Sequence, residues 1–124
     1  MSIKNVLLVT ISPTDRYELG QILRNNGFTV STADTGETAL ELAKVQQPDI
    51  IVMDTILPSK TGIQTTRILT RDPATQHIPV ILCAADNRES DRTLGIRQGA
   101  RNYLIKPIQD NVLLTAIAEL DESE

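Results

Sequence analysis

The sequence predicts an α/β domain built on a doubly wound parallel sheet, and three observations carry that prediction. Short continuous apolar runs recur along the chain, at residues 6–9, 50–54 and 79–84. Runs of that length, bounded by turn residues, read as strands buried on both faces. Between the strands lie stretches with helical spacing, closed in turn by Gly27, Pro48, Asp72-Pro73 and Gly99. The central run ends in a carboxylate, Asp54, with Pro58 and Gly62 close behind it.

The elements follow in order. Residues 6–9 form a first buried strand. Ser12-Pro13-Thr14-Asp15 opens a helix, with Ser12 as N-cap and Pro13 in the first-turn position proline tolerates. Tyr17, Leu19, Ile22 and Leu23 mark the apolar face of that helix, and Gly27 stops it. Asp15, in the first turn, is explained by its favourable interaction with the helix N-terminus. Residues 28–33 alternate and give a second strand, more exposed on one side. Asp34-Thr35-Gly36 leads into a helix carrying Ala39, Leu40, Leu42, Ala43 and Val45, which Pro48 ends.

The Asp54 strand is the third. A helix from Gly62 to about Arg71 carries Ile63, Thr66, Ile68 and Leu69. Residues 79–84 form the fourth strand, followed by a polar loop at 85–89 and a weakly amphipathic helix to about Gln98, weakened by Gly95. Residues 102–105 form the fifth strand, then Lys106-Pro107. A last helix from Asp110 to about Leu120 buries Val112, Leu113, Ala116, Ile117 and Leu120, and residues 121–124 are expected to fray. Five strands alternating with five helices demand right-handed crossovers and helices on both faces of one sheet. The flavodoxin-like strand order 2-1-3-4-5 suits one domain spanning residues 1–124.

Composition narrows the function. The chain has 124 residues and a formal net charge of −4, with no basic stripe, which argues against a nucleic-acid or anionic-membrane partner. The apolar run at 6–9 is shorter than a signal peptide's hydrophobic region and no stretch is long enough to insert in a membrane, so a cytoplasmic protein is expected. The one cysteine, Cys83, lies in an apolar strand and reads as a buried structural thiol. His77, the only histidine, reads as a surface or turn residue. No Cys/His cluster suggests zinc and no nucleophile-and-base pair suggests a hydrolase, so no enzyme activity is expected. A flavodoxin-type cofactor binder would need a phosphate-cradling glycine loop after the first strand, where this chain reads Thr10-Ile11-Ser12-Pro13-Thr14.

In a sheet of this order, ligand sites lie at the carboxyl ends of the strands on either side of the topological switch point. That brings together Thr10 and Ile11, Asp54, Ala84 and Lys106. An aspartate ending the third strand, Lys106-Pro107 after the fifth and Tyr103 three residues before the lysine resemble the receiver domain of two-component response regulators. Met53-Asp54 with Pro58 and Gly62, and Gly99-Ala100 with Tyr103, agree with that resemblance, which spans nearly the whole chain. Ser12-Pro13-Thr14, the 67–71 region and residues 97–101 look most like the single-domain receivers of the twitching-motility, or type IV pilus, chemosensory system.

The resemblance implies that Asp54 is the phosphoacceptor, Lys106 the lysine that holds phosphoryl oxygens, and Tyr103 the switch aromatic. It also implies a cis bond before Pro107 and, in an active family member, a magnesium ion held by the aspartate and an acidic pair after the first strand. Two positions depart from the family pattern. Thr10-Ile11 stands where the acidic pair belongs, and Ala84 where a hydroxyl belongs.

Phosphoryl transfer rests on positioning and charge neutralisation, and magnesium is held mainly by carboxylates, phosphate and water. The expectation is therefore an atypical receiver that acts as a phosphorylation-independent interaction module, with no resident cofactor and with Asp54 paired directly or through water to Lys106. With no hydroxyl at Ala84 to recruit, Tyr103 is expected to keep one rotamer. The partner would be another signalling protein, a histidine kinase or an output or motor protein, engaged through Arg92, Arg97, Tyr103 and Asn111 by a monomer or weak dimer. The alternative is a phosphoacceptor with a relaxed site that uses Mg²⁺, with Asp15, Asp86 or Glu89 as substitute ligands.

Overall fold

The computed structural model describes residues 2–122. Five strands, β1 (Asn5–Val9), β2 (Thr29–Ala33), β3 (Ile50–Asp54), β4 (Val80–Ala84) and β5 (Asn102–Ile105), alternate with five helices, α1 (Pro13–Asn25), α2 (Gly36–Gln46), α3 (Gly62–Arg71), α4 (Glu89–Arg97) and α5 (Asp110–Glu122). All strand pairs are parallel, in the order β2-β1-β3-β4-β5. The predicted flavodoxin-like order is the one observed.

Strand periodicity divides the core into two layers. Leu7, Val9, Ile51, Met53, Val80, Leu82, Ala84 and Tyr103 face a layer that includes Ala39 and Ala43 of α2 and Leu69 of α3. The alternate residues, among them Val6, Leu8, Ile50, Val52, Ile81, Cys83 and Leu104, pack with Leu19 and Leu23 of α1 and Leu113, Ala116 and Ile117 of α5. Both faces of β3 and β4 are covered, so these strands are apolar without alternation and buried throughout. Asp54 and Thr10 continue the register of the second set, which turns them toward α1.

Helix starts follow the sequence closely. Ser12 caps α1 by accepting the Asp15 N–H, Thr35 caps α2, and Thr61 with Gln64 forms a reciprocal capping box on α3. Gly27 ends the α1 turn at φ +89°, as its place after the helix requires. The Lys106–Pro107 bond is cis.

Several apolar residues read as core face outward. Tyr17 is 67% exposed and Val45 81%, and Ile68 and Val112 are also exposed. One amphipathic stripe per helix suffices to cover this thin sheet, and these residues fall at the stripe's margin. Gly95 is not merely a weak point of α4. A Cβ there would stand 3.0 Å from Leu82 Cδ1 and 3.3 Å from the Tyr103 ring, so its bare backbone lets α4 lie close on β4 and β5. At the chain end α5 runs through Asp121 to Glu122; residues 123 and 124 of the segment expected to fray lie outside the described residues.

Candidate functional site

The site forms where the carboxyl ends of β1 and β3 meet the start of α1 and the connection after β5. The β1–β3 register pairs Val9 with Met53, which brings Thr10 level with Asp54. Both are buried, Thr10 fully and Asp54 at 6% exposure. Thr10 donates its hydroxyl to Asp54 Oδ2 at 2.6 Å. Lys106 Nζ lies 2.9 Å from Asp54 Oδ1, so each carboxylate oxygen of Asp54 has its own donor. Direct Asp54–Lys106 pairing is therefore present.

Lys106 is not held by Asp54 alone. Asp15 Oδ2 accepts from the same ammonium at 2.6 Å. Burial works to lower the Lys106 pKa, but the hydrogen bonds to Asp15 and then Asp54, with their charges, outweigh it and hold the value above the ordinary one. This corrects the reading of Asp15 as only a helix-terminus charge. In a capping box the third helical residue turns back to the N-cap amide; here Thr10 Oγ1 accepts the Ser12 N–H at 3.1 Å, and the Asp15 carboxylate reaches Lys106 instead. The Ser12-x-x-Asp15 spacing carried the signal, since it fixes Asp15 in the first turn just beyond β1. Asp86 and Glu89, the other candidate ligands, are exposed, and Asp86 faces Arg88 at 3.6 Å.

Cys83 is paired with Asp54 across β3 and β4 and is fully buried. Burial, reinforced by the Asp54 charge, pushes its thiol up to about 12, so it stays protonated and unreactive at neutral pH. A cavity of about 50 Å³ opens above Asp54, lined by Thr55, Ile56, Cys83, Ala85 and Lys106. Gly62 is held under this rim by donating its N–H to the Thr55 carbonyl at 2.8 Å.

A magnesium ion takes six oxygens in near-octahedral array, usually with carboxylates and waters. The two carboxylates that reach this site already share the Lys106 ammonium, and Thr10 adds a neutral oxygen whose proton points at Asp54. Ile11 offers an exposed alkyl group. Among the described residues no three His, Cys, Asp or Glu side chains gather into a metal-holding group. As arranged, the donor set does not fit magnesium.

On the far side of the sheet, Ala84 and Tyr103 belong to one apolar cluster. Tyr103 is buried, with the Arg92 guanidinium 5.5 Å from its ring centroid and Arg92 Nη2 donating to its carbonyl at 3.1 Å. Of the four residues assigned to a partner face, Arg97 and Asn111 are exposed, Arg92 is half-buried over the ring, and Tyr103 contributes interior rather than surface. His77 is exposed in the turn before β4.

Comparison with known proteins agrees with this architecture. The family described as the response regulator receiver domain matches residues 6–118. Protein PilH of Pseudomonas aeruginosa is 41% identical over 112 residues, which cover 90% of this chain and 93% of that protein. Response regulator PleD of Caulobacter vibrioides is 42% identical over 93 residues, 75% of this chain and 20% of that longer protein. Among solved structures, the receiver domain of the sensor histidine kinase PA1611 from Pseudomonas aeruginosa, with a magnesium ion coordinated in its active-site cleft, gives a TM-score of 0.90 at 27% identity, covering 98% of this chain and 100% of that one. Chemotaxis response regulator CheY4 of Vibrio cholerae gives 0.88 at 24% identity, covering 96% and 99%, a likeness of fold. This chain belongs to the response regulator receiver domain family, the signalling modules of two-component systems.

Proposed function

We propose that this chain is an atypical receiver that works mainly as a phosphorylation-independent protein-interaction module in a chemosensory pathway of the twitching-motility kind. The observation that carries this reading is the closed state of the acceptor. Both oxygens of Asp54 are engaged, by Lys106 and Thr10, and the donor set around it does not fit the cation that neutralises charge in phosphoryl transfer. Loss of a single preorganised electrostatic contact commonly costs about 10²–10³ in rate. Ala84, which has no hydroxyl to offer a phosphoryl oxygen, removes another such contact.

Output then rests on a fixed surface. Arg97 and Asn111 are exposed, as are the apolar side chains of Leu94 and Ile96 on α4 and of Val112 on α5. The partner is another signalling protein, a histidine kinase or an output or motor protein, met in the cytoplasm by a monomer or weak dimer. The module performs no catalysis of its own and needs no cofactor. The relation to PilH, with alignment covering most of both chains, supports the pathway assignment.

Intact-mass spectrometry after incubation with acetyl phosphate and Mg²⁺, beside Asp54→Ala, tests this. The expected result is no mass gain, or an equal gain in both proteins. A stoichiometric, Mg²⁺-dependent adduct absent from Asp54→Ala overturns it in favour of a phosphoacceptor, with Asp15 as the added carboxylate.

A further inference from the structure

The arrangement of Asp15, Lys106 and Asp54 goes further than a simple acceptor–lysine pair. The ammonium stands between two carboxylates from different elements, 2.6 Å from one and 2.9 Å from the other. Each member is fixed by its own backbone. Lys106 donates its amide to the Ala84 carbonyl at 2.8 Å, Asp15 donates its amide to the Ser12 hydroxyl at 3.1 Å, and Asp54 ends the fully buried β3. The side chains of Lys106 and Asp15 retain 24% and 27% exposure, and that of Asp54 8%.

We propose that Lys106 is a built-in cation that excludes divalent metal from this site, and that Asp15 is the positioning residue that holds it there. The proposal rests on the reading above only for the identity of the site. Saturable metal binding without a phosphoryl adduct overturns metal exclusion alone, whereas a Mg²⁺-dependent adduct on Asp54 overturns both, so the two failures are told apart.

The physical case is one of competition. Two carboxylates brought to one site repel unless a cation lies between them. A tethered ammonium supplies that charge without the ordering and dehydration that magnesium would need, since Mg²⁺ gives up its waters reluctantly. With Asp15 engaged, Lys106 is oriented by two acceptors rather than one, and the first turn of α1 is tied to the connection between β5 and α5. Asp15 thus provides the second carboxylate that Thr10-Ile11 lacks, and provides it to the lysine. Removal of the ammonium would leave Asp15, Asp54 and the Thr10 hydroxyl as an unsatisfied oxygen set.

The test is titration of the ¹⁵N-labelled chain with Mn²⁺, followed by paramagnetic broadening of the Thr10, Thr55 and Lys106 amides and by competition with Mg²⁺. The wild type is expected to show no saturable broadening there. Lys106→Met is expected to gain saturable, Mg²⁺-displaceable broadening, at least tenfold tighter than any wild-type effect. Lys106→Arg, which keeps the charge, stays silent. Lys106→Met with Asp15→Asn loses at least tenfold of the gained affinity, and Lys106→Met with Asp15→Glu keeps it.

In the otherwise native chain, Asp15→Asn lowers the Lys106 pKa, read from its Cε proton shifts, and Asp15→Glu restores it. The same spectra report whether each variant is folded, and if Lys106→Met is not, Lys106→Gln takes its place. Saturable Mn²⁺ binding at Asp54 in the wild type overturns the proposal, as does a folded charge-removed variant that gains none. Equal binding with and without Asp15→Asn overturns the part assigned to Asp15.

Discussion

Thr10 gives its hydroxyl proton to Asp54 at 2.6 Å from a position with no solvent exposure. Water cannot replace that donor easily. Thr10→Val keeps the shape and the strand preference of the side chain but leaves Oδ2 without its partner. A hydrogen bond to a charged group contributes about 1.5–3 kcal/mol, and the expected loss of stability lies in that range. Urea denaturation at pH 7 measures it. Thr10→Ser, which keeps the hydroxyl, should lose less, and in an Asp54→Ala background the cost of Thr10→Val should fall to that of the lost Ser12 N–H contact.

The Cys83 thiol makes the fold sensitive to alkali. Its pKa is raised by burial from 9.0 to about 12, so the unfolded chain releases the proton first. A raised folded-state pKa contributes stability that is fully present below the unfolded value and is lost as pH rises toward the folded one. Between pH 8 and pH 10 the loss is about 1.4 kcal/mol, one pKa unit's worth. Tyr103 and Lys106 also have raised values, from starting points of 10.0 and 10.5, so their losses begin higher. Denaturant midpoints at pH 8 and pH 10 should therefore converge in Cys83→Ala, whatever its absolute stability. A wild-type midpoint that does not fall over this interval counts against the buried-thiol account.

The sequence made the sheet legible because β3 and β4 are buried on both faces and so carry no alternation to be misread. The pairing of Asp54 and Lys106 followed from the topology, since strand order alone places the ends of β3 and β5 on one rim. Asp15 was harder. Its place in the first turn of α1 was readable, but its partner depends on whether the N-cap amide is taken by its own carboxylate or by Thr10, a choice made by geometry across the chain. Tyr17 and Val45 illustrate the other limit. Helical spacing identifies a stripe but not its edge, and the edge is set by how far each helix tilts over the sheet.

Gly95 links helix propensity to the packing of Tyr103. Alanine is favoured over glycine in a helix by about 1 kcal/mol. Here its methyl would meet Leu82 and the Tyr103 ring at 3.0–3.3 Å, and both neighbours are buried in the core with little room to yield. Overpacking of that kind costs about 1–3 kcal/mol, so the net effect of Gly95→Ala is expected to be destabilising by up to about 2 kcal/mol. The ring should also shift relative to Arg92, visible as changed Tyr103 ring proton shifts. A more stable Gly95→Ala with unchanged ring shifts would mean that α4 moves freely off the sheet.

Gly62 is the tightest constraint on Asp54 itself. Its Cα lies under the end of β3, where an added Cβ would overlap the Asp54 carbonyl oxygen and crowd Thr55. Those atoms are backbone, and β3 is locked on both sides by β1 and β4, so no flexible side chain can absorb the overlap. Helix propensity works the other way by only about 1 kcal/mol. Gly62→Ala should therefore cost about 3 kcal/mol or more, the upper end of overpacking effects, and should break the Gly62 N–H bond to the Thr55 carbonyl. Hydrogen exchange separates the two consequences. The Gly62 amide should lose protection at temperatures where the β1–β2 amides remain protected, because the strain enters at the end of β3. Retained protection at Gly62 with unchanged stability would show that α3 can withdraw from the end of β3 without penalty.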